Sequence, residues 1–246
     1  MREDLDLWQD AKPFPKYYQV KQWILERITV GEWKVGDEIP SEQSLSEQYG
    51  VSRGTLRRGI DDLVRSGLLT RVQGTSTYVA KPRIPIFSKG FRADIINTGQ
   101  EAKTTILSYS EVTPSQQIAQ TLSLDADQTA FELRRVIFAN DDPIILETVY
   151  FPINYGRLIS EQTLLTTSLL DVFPTVCHTI LKKAMESYEP ILLTSEEAEL
   201  LDAVPKDLAI LDQAVTYDIS DKPVFVSKAL IRRDRARILT EVTFHI

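Results

Sequence analysis

Cysteine and histidine are almost missing from this chain of 246 residues, which has one Cys and two His. The lone Cys177 excludes a disulfide framework within the chain and suits a reducing compartment. His178 and His245 are too few for a His-rich metal centre. Cys177-His178 is the one tempting nucleophile–base pair, yet neighbours in sequence on a helix or strand do not face each other. A packing Cys beside a surface His is the plainer reading. No Gly-rich loop shaped to cradle phosphate is present, so neither a cofactor nor an enzyme is expected. Nor does any apolar run approach the roughly 20 residues that span a bilayer. Met1 to Asp10 is acidic and lacks the apolar segment of a signal peptide. A soluble, cytoplasmic protein with no membrane partner is the expectation.

What is present is a chain able to bury real cores, with 43% hydrophobic residues. Its formal net charge of −7 is unevenly distributed. Residues 1–83 hold 13 Lys+Arg against 12 Asp+Glu, whereas the remainder holds 15 against 23. A neutral-to-basic head on an acidic body fits a selective DNA reader better than a nonspecific DNA coat, because the acidic body repels phosphate. A purely architectural DNA protein would not need so large an acidic partner domain.

The most informative stretch runs from Pro40 to Val79, PSEQSLSEQYGVSRGTLRRGIDDLVRSGLLTRVQGTSTYV. Ser41 reads as an N-cap for a short helix that carries Leu45 inward and stops at Gly50. Ser52 caps a second helix, in which Leu56, Ile60 and Leu63 share one face. Two short helices around a Gly-containing turn form the helix-turn-helix pattern, whose second helix enters the major groove. Arg53, Thr55, Arg57 and Arg58 lie off the apolar stripe in its first two turns. Arg can pair bidentately with guanine, and hydroxyls at a helix N-terminus suit phosphate. Gly67 ends the helix, and two short strands then flank Gln73-Gly74-Thr75-Ser76 as a wing. Upstream, Pro15 opens a helix with Tyr17, Val20, Ile24 and Ile28 at three- and four-residue intervals. Met1 to Phe14 reads as a loose arm in which Leu5, Leu7 and Trp8 could pack.

These residues resemble, from about Pro15 to Val79, the winged helix-turn-helix of GntR-type bacterial transcription regulators. The resemblance implies that Ser52, Arg53, Thr55 and Arg57 contact DNA and that Gln73 and Gly74 reach the minor groove from the wing. Gln43 stands where that family usually has Arg, so the contact there is weaker or differently aimed. Gly54 replaces a commoner Thr or Ala.

Ala80 to Ile86, with two prolines, reads as a stiff linker between residues 1–79 and a second domain over 87–246. Beyond it, helix and strand signals mix. Thr113-Pro114 is expected to cap a helix with Ile118 and Leu122, and Thr194-Ser195-Glu196-Glu197 reads as a capping box. Phe131, Leu133, Arg135 and Ile137 alternate, then Asn140 to Pro143 turns the chain into Ile145, Glu147, Val149 and Phe151. Val215 to Tyr217, Ser220 to Pro223 and Val224 to Ile231 repeat that design, which suggests a weak internal duplication around one antiparallel sheet. Arg135 and Glu147 each occupy the more apolar face of a strand. They are either a mutual buried pair or part of a ligand site.

The order of the Phe91–Gly99 segment, Leu133-Arg134-Arg135, Asp142-Pro143 with Glu147, Ser168-Leu169 and Asp234-Arg235 resembles the UTRA domain of HutC-type GntR regulators. The resemblance implies an α+β chain in which the winged helix-turn-helix precedes a chorismate-lyase-like antiparallel-sheet effector domain. It also implies that Phe91, Arg92, Arg135, Glu147 and Ser168 line a small-molecule pocket, with Phe225 and Ile231 where sugar-binding relatives often have Glu and Tyr. The family's Arg-x-Arg is Arg135-Val136-Ile137 here. A small organic anion with an apolar body, gripped by Arg92 and Arg135, is therefore expected in place of a sugar phosphate. The expected whole is an effector-controlled regulator, a repressor and homodimer on a near-palindromic DNA operator.

Overall fold

Apolar residues at three- and four-residue spacing give α1 (Lys16–Thr29), whose Val20 and Ile24 are fully buried. The Ser41 hydroxyl accepts from Ser44 N–H to start α2 (Glu42–Tyr49), and Gly50 closes that helix in the left-handed conformation at φ 62°. Ser52 repeats the N-cap for α3 (Arg53–Arg65), where it accepts from Thr55 N–H. The short strands β1 (Leu69–Arg71) and β2 (Thr77–Val79) pair antiparallel. Leu45, Leu56, Ile60, Leu63, Leu69 and Val79 join the α1 residues in one core. Gly59 lets α3 approach α1: a Cβ there would meet Val20 Cγ1 at 2.8 Å and the Tyr17 carbonyl oxygen at 2.9 Å.

This computed structural model describes residues 14–71, 76–87, 90–125 and 128–240. The chain divides into two units, Met1–Arg83 and Ile84–Ile246. The wing residues Gln73 and Gly74, the N-terminal Leu5, Leu7 and Trp8, and His245 lie outside the described residues.

The second unit contains, in order, β3 (Ile84–Ile86), α4 (Phe91–Asn97), β4 (Ala102–Val112), α5 (Gln116–Thr121), β5 (Ala130–Ala139), β6 (Asp142–Pro152), α6 (Ile153–Gly156) and α7 (Glu161–Thr166). It continues with α8 (Leu169–Thr175), β7 (Leu181–Leu192), α9 (Ser195–Leu200), β8 (Leu208–Asp218), β9 (Pro223–Arg232) and β10 (Ala236–Ile238). Six strands form one antiparallel sheet in the order β4-β5-β6-β9-β8-β7. The order reads the same from both edges. Each half is a strand, a six-residue helix, a strand and a tight hairpin to the strand at the sheet's centre. The repeated Asp-x-Pro hairpins in the sequence are the visible remainder of this symmetry.

Two expectations are corrected. The end of the anticipated linker is structured, because Ile84 and Ile86 alternate into a core and β3 pairs parallel with β10. The cap of α5 is Ser115, whose hydroxyl accepts from Ile118 N–H, and not Thr113-Pro114. At α9 the capping box forms as read, with Thr194 and Glu197 satisfying each other's backbone N–H. α7 and α8 pack on one face of the sheet over Leu133, Val149 and Phe151, whereas α9 covers Val136, Leu146 and Leu230 on the other.

Candidate functional site

The first candidate site is the exposed face of α3. Arg53 is exposed at its first turn, and no hydrogen bond or ion pair engages it among the described residues. The Ser52 and Thr55 hydroxyls lie 2.9 Å apart beside the N-cap. Arg57 is held differently: its Nε and Nη2 both donate to Glu42 Oε2, at 3.0 and 2.7 Å. Glu42 also accepts from Arg71 through Oε1 at 2.9 Å, and Arg71 reaches Asp61 at 2.8 Å. The hydrogen bond from Arg57, with the charges of both guanidiniums, holds the Glu42 carboxyl below its ordinary range. Arg58 is directed away from this cluster, its guanidinium 4.1 Å from the Tyr17 ring centre. Gln43 stays within its own helix, donating to Glu47 at 3.2 Å.

The second candidate site is a cleft on the α7–α8 face of the large sheet, at the N-termini of α4 and α8. Of the residues singled out in the sequence, Phe91, Arg92, Arg135, Glu147, Ser168 and Phe225 line it. Ile231 does not. It lies further along β9, fully buried with Ile84, Ile95 and Ile145, where α4 and β3 close the end of the sheet. Ser168 caps α8, accepting from Asp171 N–H and donating to Asp171 Oδ2 at 2.6 Å. Gly90 has φ 107°, which a residue with a side chain rarely adopts, and there the chain turns into α4.

Arg135 and Glu147 are both a mutual pair and part of this cleft. Arg135 Nε donates to Glu147 Oε2 at 2.6 Å, Nη1 donates to the Leu164 carbonyl at 3.3 Å, and each side chain is about 6% exposed. Arg92 donates through Nη1 to the Ala102 carbonyl. The expected anion clamp is thus weakened on the Arg135 side, since its charge is already matched. Three carboxylates, Glu147, Glu186 and Asp212, face two guanidiniums around the cleft.

Comparison with known proteins identifies the family. Residues 16–79 match the bacterial regulatory proteins, gntR family, and residues 97–237 match the UTRA domain. The chain belongs to the GntR family and carries a UTRA domain. At 27% identity over 226 residues it is similar to the HTH-type transcriptional repressor NagR of Bacillus subtilis (strain 168), covering 91% of this chain and 93% of that one. The histidine utilization repressor of Klebsiella aerogenes is 34% identical over 140 residues, 56% of this chain and 58% of its own. The crystal structure of PhnF from Mycobacterium smegmatis shares the fold, with a TM-score of 0.65 at 24% identity over 91% of this chain and 99% of that one.

In this GntR regulator the first unit is the DNA-binding part and the UTRA domain is the effector-binding part. The family consists of transcription regulators and not enzymes. Burial raises the Cys177 thiol above its ordinary range, opposite to the activation a nucleophile needs. Asp142-Pro143 and Asp234-Arg235, two motifs behind the UTRA resemblance, meet in an ion pair between Arg235 and Asp142. Sequence reading missed Asp212, Thr216 and Glu186 as cleft residues. Asp212 and Thr216 are in phase with Ala214 on one side of β8, and that period of two was the available signal.

Proposed function

We propose that this GntR regulator is a cytoplasmic, homodimeric repressor that reads a near-palindromic operator and is controlled by a small molecule in the UTRA cleft. Ser52, Arg53, Thr55 and Arg57 make the DNA contacts, Arg53 to a base and Arg57 to phosphate. Phe91, Arg92, Arg135, Glu147, Ser168 and Phe225 line the effector site. The head ends near Val79, Ala80–Arg83 tethers it, and the effector domain follows. That its relatives are named repressors supports the direction of control. No helix among the described residues is long and apolar enough to cross a membrane.

The observation that carries the dimer is β7. This edge strand of 12 residues is exposed along almost its whole length, on both faces. Met185 is 64% exposed and Leu192 60%, on a strand whose outer backbone groups have no neighbour in the sheet. A long exposed edge strand offers unpaired backbone groups to another strand, and a second copy of the chain is the simplest cover. Because Ala184 and Glu186 of β7 line the cleft, such an interface touches the effector site and gives ligand a route to dimer geometry.

Sedimentation of the full chain tests this together with selection of operator DNA from a random pool. A dimer that selects two half-sites with centres about 10 bp apart, or a multiple of that, is expected. Residues 1–83 alone should be monomeric and keep the same base preference at much lower affinity. A stable dimer of that fragment overturns the assignment of dimerisation to the second unit.

A further inference from the structure

Strand register places the cleft's charges in a single row. Ile106 pairs with Arg135, Arg135 with Glu147, Glu147 with Ala229, Ala229 with Asp212, and Asp212 with Tyr188. Directly paired residues point to the same face of a sheet, and adjacent strands lie about 4.8 Å apart. Glu147 and Asp212 therefore flank Ala229, roughly 10 Å apart along the row. Ala229 itself is 2% exposed and belongs to the core with Ile137 and Ile231, whereas Asp212 lines the cleft together with Ala214, Thr216 and Ser227.

The two carboxylates of this row differ in how they are satisfied. Glu147 has its partner in Arg135. Asp212 is only 8% exposed, and its buried Oδ1 has no hydrogen-bond partner among the described residues. No described basic side chain forms an ion pair with it, and Glu186, two positions along the adjacent strand from its pairing partner Tyr188, adds a like charge at the rim. An orphaned carboxylate in a cleft lined by Phe91, Leu169 and Phe225 is costly unless something neutralises it. Ligand sites retain such groups because the ligand completes them.

We propose that the effector presents a protonated nitrogen to Asp212 in the cleft, with its apolar body against Phe91 and Phe225. The effector class is thus an organic ammonium or amidinium compound. This rests on the cleft being the effector site, and it deepens that reading by fixing the sign of the recognised charge. An ammonium offers three donors, which Asp212 and Glu186 can accept together. Arg92, at the α4 end of the cleft, is left for a polar or anionic group at the ligand's other end.

The test uses the full chain and three probes with one body: 2-phenylethylamine, 2-phenylethanol and 3-phenylpropanoate, each titrated by calorimetry at pH 8. The amine should bind about tenfold more tightly than the alcohol, as a charge-assisted bond exceeds a neutral one, and more tightly still than the carboxylate. Asp212→Asn is isosteric, and its melting curve reports whether the fold is kept. In that variant the amine-to-alcohol ratio should fall severalfold, the remainder coming from Glu186. Equal binding of amine and alcohol, preference for the carboxylate, an unchanged ratio in the variant, or no amine binding at millimolar concentration each overturns the proposal. Operator binding, measured on the same preparations, reports separately on the regulator reading and survives if only the ammonium assignment is wrong.

Discussion

Removing the charge of Asp212 should stabilise the protein, and the gain should depend on pH in a defined way. Burial, with the charges of Glu186 and then Glu147, lifts the Asp212 carboxyl from 3.8 to about 7. Between those values the folded chain holds a proton that the unfolded chain releases. The contribution of this group to stability is thus fully present below pH 4 and is lost as pH rises through 7. Three units at 1.36 kcal/mol each set a ceiling of about 4 kcal/mol. Water entering the cleft screens part of this, so about 2–4 kcal/mol of stabilisation is expected for Asp212→Asn at pH 8, shrinking towards zero near pH 4. The facing groups, Glu147, Glu186 and Arg135, are the same in both proteins. So is Asp221, whose carboxyl Lys182 and Lys183 hold down to about 2 and whose pH dependence runs the other way. The contribution of Asp221 cancels in the difference between variant and parent, whereas the repulsion of Asp212 by Glu186 and Glu147 is part of what that difference measures. The assay is urea unfolding at a series of pH values, followed by far-UV circular dichroism for the sheet. All three Trp precede residue 84, so Trp emission follows the first unit separately. A variant no more stable than the parent at pH 8, or a gap that persists undiminished at pH 4, would show that Asp212 is not a buried orphan.

The α3 face yields two further expectations. Arg53→Ala should cost roughly 1–3 kcal/mol in operator binding and relax the preference at one base pair per half-site. Arg57→Ala should weaken all sequences alike and reduce the slope of affinity against salt by about one per monomer. Gel shifts over a salt series on matched and mutated operators separate the two, and equal loss of specificity from both variants refutes the division. Gly59→Ala pushes a methyl group against Val20 and the Tyr17 carbonyl, so a loss of about 1–3 kcal/mol is expected in unfolding followed by Trp emission. An unchanged midpoint would mean that α1 can withdraw from α3 without cost.

The chain's local order was legible because the causes are local. Ser41, Ser52 and Thr194 cap the helices that follow them, Gly50 and Gly67 stop helices at positive φ, and the apolar spacing of α3 sets its buried face. The symmetry of the sheet showed through as two matching hairpin turns. Less legible were β4 and β7, the two edge strands. In β7 almost nothing is buried, so the alternation that marks a strand is missing.

By itself, the sequence determined a capped, basic recognition helix on an acidic α+β body, and with it the family. Each signal there spans one or two helical turns or a single hairpin. Only the tertiary structure decided what the cleft is made of. Arg135, Glu147 and Asp212 come from three strands, and they share a row only because β6 lies beside β9 in the sheet. Register, a property of pairing between distant segments, brings Arg135 onto Glu147 and leaves Asp212 without an ion pair among the described residues. The same pairing buries Ile231 instead of exposing it to a ligand, since β3 and α4 close that end of the sheet. Charge counting along the chain finds two arginines for an anion; charge placement across the sheet finds Arg135 already matched by Glu147 and Asp212 buried without a hydrogen-bond partner at Oδ1 among the described residues.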